Sequence, residues 1–580
     1  MIERFQEGFH PFVIPFLAGM AFVLLVCLVK AVRVIFQLDS KSRKKYLISL
    51  FIPQVFVKNV FDIIKDCLLH VRLWKRNAML GFMHSSIAFG WFMIILLGHI
   101  QVLMYFPRRI GTFYYPIFFD YFIEGGNNVF ISGLLDLFLY LILAGIVLAV
   151  IKRFYSRLFG MRRTARPTLL NLIGLYSLWA IFPLRLSAEL CARSGNMDPT
   201  LWWAYSIALC TFMCVLPFSR YLHIPAEMLL VTMRNAHLDV TQPGKGMAKV
   251  QTDSCPNCGV CIDACPMNAD PANLKDSTVY FTRQVRRNNR ERIGQIADKC
   301  MLCGKCTSVC QVGVDGPKLR ILARATRKYG IGADFTTVDN LTAAPDARGK
   351  VLYFSGCMSQ LTPTIGRSVE SVLKKSGTDY EWLDREGGLC CGRPLHTAGR
   401  LKEAQELIHR NEEQILASGA SVLLVSCPIC YREFREKYSL PGVRVVHYSD
   451  FFTGLLERGM LELKEKSDIC YVYHDPCELG RGCGIYDAPR RLIAQAAGIA
   501  EAPKNRAESV CCGGSLGSLS LDFAHREKIT RASLENLYAS RADAIATACP
   551  LCLATFSRYS DRPVRDLAQI FDEQTKKITK

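Results

Sequence analysis

Residues 255–266 read CPNCGVCIDACP and residues 300–310 read CMLCGKCTSVC, two runs with the spacing C-x2-C-x2-C-x3-C. Four thiolates in so short a stretch wrap a loop around a cubane cluster, and in paired runs the fourth cysteine of each serves the other cluster. Cys255, Cys258, Cys261 and Cys310 are therefore expected to hold one [4Fe–4S] cluster, and Cys300, Cys303, Cys306 and Cys265 the second. Gly259 and Gly304, each directly after a second cysteine, let the backbone curl around the inorganic core. Zinc also takes four thiolates, but its sites usually set two Cys-x-x-Cys pairs well apart. Gln311 stands where a proline often follows the last cysteine.

Downstream, a second cysteine pattern occurs twice. The first copy reads Gly-Cys357, Cys390-Cys391-Gly, Cys427-Pro-Ile-Cys430, and the second Pro-Cys477, Cys511-Cys512-Gly, Cys549-Pro-Leu-Cys552. The gaps before the paired cysteines are 32 and 33 residues, and those after them 35 and 36. A cubane needs four thiolates, yet each copy supplies five, two of them adjacent. Both neighbours reach iron only if the metal atoms are arranged unusually. The pattern, over about residues 240–560, resembles the CCG domains of heterodisulfide reductases and their relatives, including the iron–sulfur subunits of glycolate oxidase and glycerol-3-phosphate dehydrogenase. In that family a complete five-cysteine set holds a noncubane [4Fe–4S] cluster at which disulfide chemistry occurs. The resemblance implies one such site at Cys357, Cys390, Cys391, Cys427 and Cys430, and another at Cys477, Cys511, Cys512, Cys549 and Cys552. Two plainer readings stay open: a repeat holding one cubane or a zinc with a spare cysteine, or a structural copy that shapes a partner surface. His474 and Asp475 precede Cys477, where proton donation, hydrogen bonding to cluster sulfur and an ordinary turn are all compatible with the sequence. Arg393, His396 and Arg481 lie beside the cysteine loops, where positive charge would raise a reduction potential or recruit an acidic partner.

The elements that must position these thiols change character near residue 225. Before it lie five apolar stretches, about 12–36, 79–104, 128–152, 168–190 and 201–222. Each is long enough as a helix to cross a hydrocarbon core about 30 Å thick. Segments 37–78 and 152–167 are rich in Lys and Arg, whereas the other side offers Arg4, Arg108, Arg109 and Arg193. The positive-inside rule places the N-terminus outside and everything after the fifth helix in the cytoplasm. Residues 46–70 are expected to form an amphipathic helix on the inner surface. His84, at the start of helix two, and His223, at the end of helix five, come to similar depth on the cytoplasmic side, which suits one bis-histidine haem b. The arrangement resembles the cytochrome b subunits of respiratory nitrate reductase and of membrane heterodisulfide reductase. Relatives of the former usually carry a second histidine pair nearer the other face. Here Tyr205 occupies the position where its helix-five member would fall, so His99 lacks an obvious mate except His10, and one haem is expected. Arg185 and Glu189, spaced i,i+4, read as an ion pair, or more sharply as a quinone or propionate contact. Cys27, Cys67, Cys191, Cys210 and Cys214 fit no ligand pattern.

At 580 residues the chain exceeds one compact core, and its excess of Lys and Arg (71) over Asp and Glu (51) gathers around apolar runs, pointing to a membrane surface rather than nucleic acid. Its 25 cysteines fall in tight groups that speak for reduced, metal-holding thiolates over disulfides. No cleavable signal peptide is expected. The expected architecture is multi-domain: an all-α five-helix transmembrane cytochrome b-like domain over 1–235, an α-helical dicluster ferredoxin-like domain over 240–330, and two α/β CCG domains over 350–460 and 468–575. In the last two, strands are expected at Val351–Phe354, Val422–Val425, Tyr471–Tyr473 and Ala544–Thr547, between helices such as 398–417 and 522–539. The parts make a wire ending in lipid, whose soluble electron carrier is a quinone. No Gly-rich dinucleotide fingerprint is present, so a two-electron partner must bind from outside. The resemblance implies an oxidoreductase of a bacterial or archaeal inner membrane. It would pass electrons between a soluble cytoplasmic protein, electron-transfer flavoprotein being favoured, and membrane quinone. A thiol/disulfide reductase and a relay subunit of a larger complex are the alternatives. The basic run 283–292 offers a docking surface, or a solvated loop.

Overall fold

The computed structural model describes residues 10–105, 115–118, 129–194, 198–330 and 350–576. Arg4, Arg108 and Arg109, used above to orient the chain, lie outside the described residues. The chain divides into two compact units, one of residues 1–238 and 244–263, the other of residues 239–243 and 264–580. The division falls inside the segment expected to be a single ferredoxin-like domain.

The first unit is helical. Its long helices are α1 (Ile14–Phe36), α2 (Ala78–Tyr105), α3 (Val129–Phe154), α4 (Leu169–Arg193) and α5 (Pro199–Val215). Among the described residues, five helices are long and apolar enough to cross a membrane. Side chains such as Leu24, Leu25, Leu28, Leu137 and Val147 point outward, exposed, as lipid-facing positions do. Helix α2 packs on α3, α4 on α5, and α5 on α1. Small residues set the closest approach: a Cβ on Gly90 would lie 2.7 Å from Ile142, and one on Gly145 would strike Ser86.

Two expectations are corrected here. The amphipathic stretch 46–70 is not one helix. Ser40–Ser49 and Pro53–Ile63 are separated by a bend of 84°, because Pro53 cannot continue the preceding helix, and a π turn follows over Ile64–Leu68. The bent pair taken together is also apolar enough to cross a membrane, so among the described residues the possible spans rise to six. Second, His223 is not the end of helix five. Pro217 removes a donor, the backbone of Ser219 is extended, and His223 opens a separate helix, α6 (His223–Asn235). Lys30 donates to the carbonyl of Pro217, and the Arg220 N–H donates to Asn171 Oδ1 at 2.8 Å, so the break is tied to α1 and α4.

The second unit carries two parallel four-stranded sheets. The first contains β1 (Val351–Phe354), β2 (Tyr380–Trp382), β3 (Val422–Val425) and β4 (Arg444–His447), in the order β2-β1-β3-β4. The second repeats the plan with β5 (Ser467–His474), β6 (Ala497–Ala500), β7 (Ala544–Thr547) and β8 (Val564–Asp566), in the order β6-β5-β7-β8. The central strands β1, β3 and β7 are apolar runs buried along their length, as strands covered on both faces must be. The edge strands, short and either polar or lacking β-branched runs, were not legible in the sequence.

Candidate functional site

In an open parallel sheet the chain leaves the two central strands in opposite directions, and a crevice forms beyond their carboxyl ends. Both five-cysteine sets sit at such a switch point. Cys357 follows β1 and Cys427 follows its neighbour β3, while Cys477 follows β5 and Cys549 follows its neighbour β7. Cys427 and Cys549 are the N-caps of the helices Pro428–Lys437 and Pro550–Tyr559, each with proline in its first turn. The positive end of each helix therefore faces a Cys-Pro-x-Cys pair, where it favours thiolate. The glycine after each adjacent pair, Gly392 and Gly513, has φ of +86°, a turn that a side chain would strain.

In the first repeat the thiols are linked in series: Cys357 with Cys390, Cys390 with Cys391, Cys391 with Cys430, and Cys430 with Cys427. The loops around them are pinned from outside. Asp384 accepts from the N–H groups of Ser355 (2.8 Å) and Gly356 (2.6 Å), Asn411 donates to the Cys390 carbonyl (2.8 Å), and Tyr438 to that of Cys391 (3.1 Å). A Cβ on Gly356 would lie 2.8 Å from Cys430 Sγ. In the second repeat Cys552 Sγ lies 3.3 Å from Cys512 Sγ, and Cys511 touches Cys303, Cys477 and Cys512. A cavity there is lined by Cys477, Cys512, Cys549 and Cys552 from the second repeat and by Arg393 and Ile429 from the first.

Cys265, Cys300, Cys303 and Cys306 line another cavity of the same unit. The Leu302 N–H donates to Cys300 Sγ at 3.3 Å, and Gly316 lies so close to Cys306 Sγ that a Cβ would meet it at 2.7 Å. Burial pushes the Cys265 thiol well above its ordinary range, with Cys303 acting the same way, and burial pushes Cys306 up to about 11 against the pull of Arg320. Four thiols around one cavity, two of them (Cys265 and Cys306) with costly anions, fit a group that supplies positive charge, which iron does. Two buried arginines sit at this site. Arg320 donates to Thr278 Oγ1 (3.1 Å), and Arg324 donates to the carbonyls of Cys300 (3.2 Å) and Thr397 (2.7 Å). The sequence reading missed both, although their i,i+4 spacing in the otherwise apolar face of Gly316–Tyr329 was a visible signal. Arg481 donates to the Cys303 carbonyl at 2.8 Å, and Ser515 to that of Met301 at 2.7 Å, joining this site to the second repeat.

The structure overturns the reading of Arg393 and His396 as cations that recruit an acidic partner. Arg393 is buried, paired with Glu433 at 3.0 Å and Glu478 at 3.3 Å, and His396 Nδ1 lies 3.1 Å from Glu433. Burial acts against the charged form of Glu433, yet His396 and then Arg393 hold it down at about 2. The run 283–292 is likewise no free loop. It spans the end of helix Thr278–Arg286 and the start of Arg290–Lys299, and Arg292 pairs with Asp276 at 2.9 Å.

The other run, Cys255, Cys258 and Cys261, belongs to the first unit, while Cys310 belongs to the second. Its loop is gripped by the connector between α3 and α4. The N–H groups of Arg162 and Arg163 donate to Asp263 at 2.8 and 3.1 Å, and a Cβ on Gly259 (φ +87°) would lie 2.7 Å from the nitrogen of Ala165. At the same end of the helices, Lys152 acts electrostatically on both His84 and Cys258, and His84 also has His223 as a charge neighbour. His223 donates from Nδ1 to the Arg220 carbonyl at 2.7 Å, the outer-shell bond that orients a ligating imidazole. A third ring, absent from the sequence reading, stands beside His84. His70, in the left-handed conformation after the π turn, has its ring 5.5 Å from that of His84. Arg185 and Glu189 form the plain ion pair, at 2.8 Å.

Residues 351–435 and 471–557 match the cysteine-rich domain family CCG, and residues 254–315 match the 4Fe-4S dicluster domain family. One subunit of the dihydromethanophenazine:CoB–CoM heterodisulfide reductase of Methanosarcina acetivorans is 24% identical over 360 residues, 52% of this chain and 88% of that one. One subunit of the fumarate reductase (CoM/CoB) of Methanothermobacter marburgensis is 26% identical over 338 residues, 51% of this chain and 66% of that one. The EtfAB:quinone oxidoreductase of Syntrophomonas wolfei is 22% identical over 455 residues, 61% of this chain and 64% of that one. The chain therefore carries two CCG domains and a 4Fe-4S dicluster domain, and it is an iron–sulfur oxidoreductase of electron transport.

Proposed function

We propose that this chain passes electrons between a soluble protein and membrane quinone, through iron–sulfur clusters and one haem b. In this reading Cys255, Cys258, Cys261 and Cys310 hold one cubane, and Cys265, Cys300, Cys303 and Cys306 the other. The two five-cysteine sets hold noncubane clusters, and His84 and His223 hold the haem. Such groups, when bound, carry single electrons. The observation that carries the reading is Lys152. One side chain acts on both a cysteine of the first run and a histidine of the membrane helices, so thiols and imidazoles meet at one end of the helical unit. Around these groups the chain's own residues set position and charge. Asp263 fixes the cysteine loop to the connector, Arg220 orients His223, and Arg320 and Arg324 bring buried positive charge to the second cysteine run.

The name of the Syntrophomonas relative supports electron-transfer flavoprotein as the soluble partner and quinone as the lipid one. The orientation with the cluster-bearing half in the cytoplasm rests on the basic segments 37–78 and 152–167. Anaerobic mixing with reduced electron-transfer flavoprotein should reduce the haem, and a quinone analogue should then reoxidise it. No haem reduction would sink the proposal.

One feature favours a second reading, a thiol/disulfide reductase. The cavity of the second repeat brings Cys477, Cys512, Cys549 and Cys552 together with Arg393. Turnover of a small disulfide by the purified protein, two electrons and two protons yielding two thiols, would select it.

A further inference from the structure

The two repeats agree cysteine for cysteine, but they differ three residues before the first cysteine. Strand β1 ends on Phe354 and strand β5 on His474. The positions are equivalent in the sheets, Phe354 pairing with Val425 of β3 and His474 with Thr547 of β7. They are equivalent in packing as well. The Phe354 ring stands edge-on to Phe434 with centroids 5.0 Å apart, and the His474 ring edge-on to Phe556 at 4.7 Å. Phe434 and Phe556 each lie four residues after the last cysteine of their repeat. Both rings are buried, Phe354 at 1% and His474 at 3% exposed. The second repeat has therefore kept the ring and its slot and gained two nitrogens.

One of those nitrogens lies near thiols. It and the Sγ atoms of Cys512 and Cys552 all lie within 4.8 Å of one another, with the two sulfurs 3.3 Å apart. A metal ion with bonds of about 2.3 Å to sulfur and about 2.0 Å to nitrogen holds its donors roughly 3.3–3.8 Å apart, so shifts of about an ångström or less let the three share one ion. A histidine that merely filled the core would have no reason to point at two cysteines of the ligand set.

We propose that His474 is a nitrogen ligand to the metal of the second repeat, so that the two repeats hold different sites, all-thiolate in the first and thiolate with imidazole in the second. This rests on the reading that the second repeat holds iron. Where the neutral imidazole takes the place of one of the five anionic thiolates, less negative charge remains on the iron and the reduction potential rises. The second repeat then becomes the more oxidising of the two sites.

Cryo-electron microscopy of the anaerobically purified full chain, with metal analysis of the same sample, tests this. The expected map shows His474 nitrogen within bonding distance of a metal also bound by Cys512 and Cys552. An imidazole more than 3 Å from every metal overturns the proposal while leaving the iron reading intact. A second repeat without metal overturns both, and a zinc bound there by His474 upholds the ligand and sinks the iron. In redox titration, His474→Cys should keep the metal and lower the potential of that site, and His474→Phe should lose metal from the second repeat and not from the first. An unchanged potential in His474→Cys counts against ligation.

Discussion

Arg393 sits among three carboxylates, Glu433, Glu436 and Glu478, at 3.0, 3.7 and 3.3 Å. A cation so placed neutralises buried charge and is not displayed to a partner. Arg393→Ala should leave Glu433 buried and short of a counter-charge, costing about 3–5 kcal/mol. An earlier unfolding transition of the cysteine-rich half in denaturant titration would register this loss. The helical unit has the opposite case in Glu227. Burial, then the nearby Asp66 carboxylate, pushes Glu227 up to about 8, with Arg234 and Arg72 opposing. The folded chain thus keeps a proton that the unfolded chain releases above the ordinary value of 4.5. The unfolded state binds fewer protons, so stability falls as pH rises from 4.5 to about 8. Glu227→Gln should remove that slope, raising the melting temperature in detergent at pH 8 more than at pH 5.5. Parallel pH profiles for the two proteins would contradict it.

At the scale of elements, the first cysteine run depends on a connector far away in sequence. Gly259 has both a left-handed φ and a backbone neighbour, Ala165, that cannot yield as a flexible side chain would. Gly259→Ala should therefore detach the loop from residues 162–165 and remove about one cubane, roughly four irons per chain. Iron analysis against an unchanged haem content checks this. The α/β alternation and its central strands were legible because buried parallel strands are short β-branched and apolar runs. The edge strands β2, β4, β6 and β8 were not, since Tyr380–Trp382 and Val564–Asp566 carry charged residues within three positions and owe their extension to a neighbouring strand. The break before His223 was half legible. Pro217 announced it, but an apolar run on both sides concealed it.

For the whole molecule, the wire predicts separable losses. His84→Ala or His223→Ala should abolish the haem b absorbance and quinone-linked reoxidation while iron per chain stays at the wild-type level. A variant retaining full haem would remove that histidine from the ligand set. Within the second unit, the contact of Cys303 with Cys511 and the bond from Arg481 to the Cys303 carbonyl place the dicluster region against the second repeat.

Ligand spacing and span length, which depend on neighbours along the chain, could be read from residue order alone. Two C-x2-C-x2-C-x3-C loops, a twice-repeated five-cysteine set and five apolar stretches each express a local constraint of ligand spacing or span length. What folding decided is which distant groups share a space. Asp263, between the third and fourth cysteines of one run, is held by the 162–163 backbone, a hundred residues away in sequence. Arg393 became internal because Glu433 and Glu478 come to it from other elements. His474 met Cys512 and Cys552 because sheet order set β5 beside β7. Spacing names the donors within a loop, but pairing between strands tens of residues apart selects their companions, and no periodicity in the chain encodes that choice.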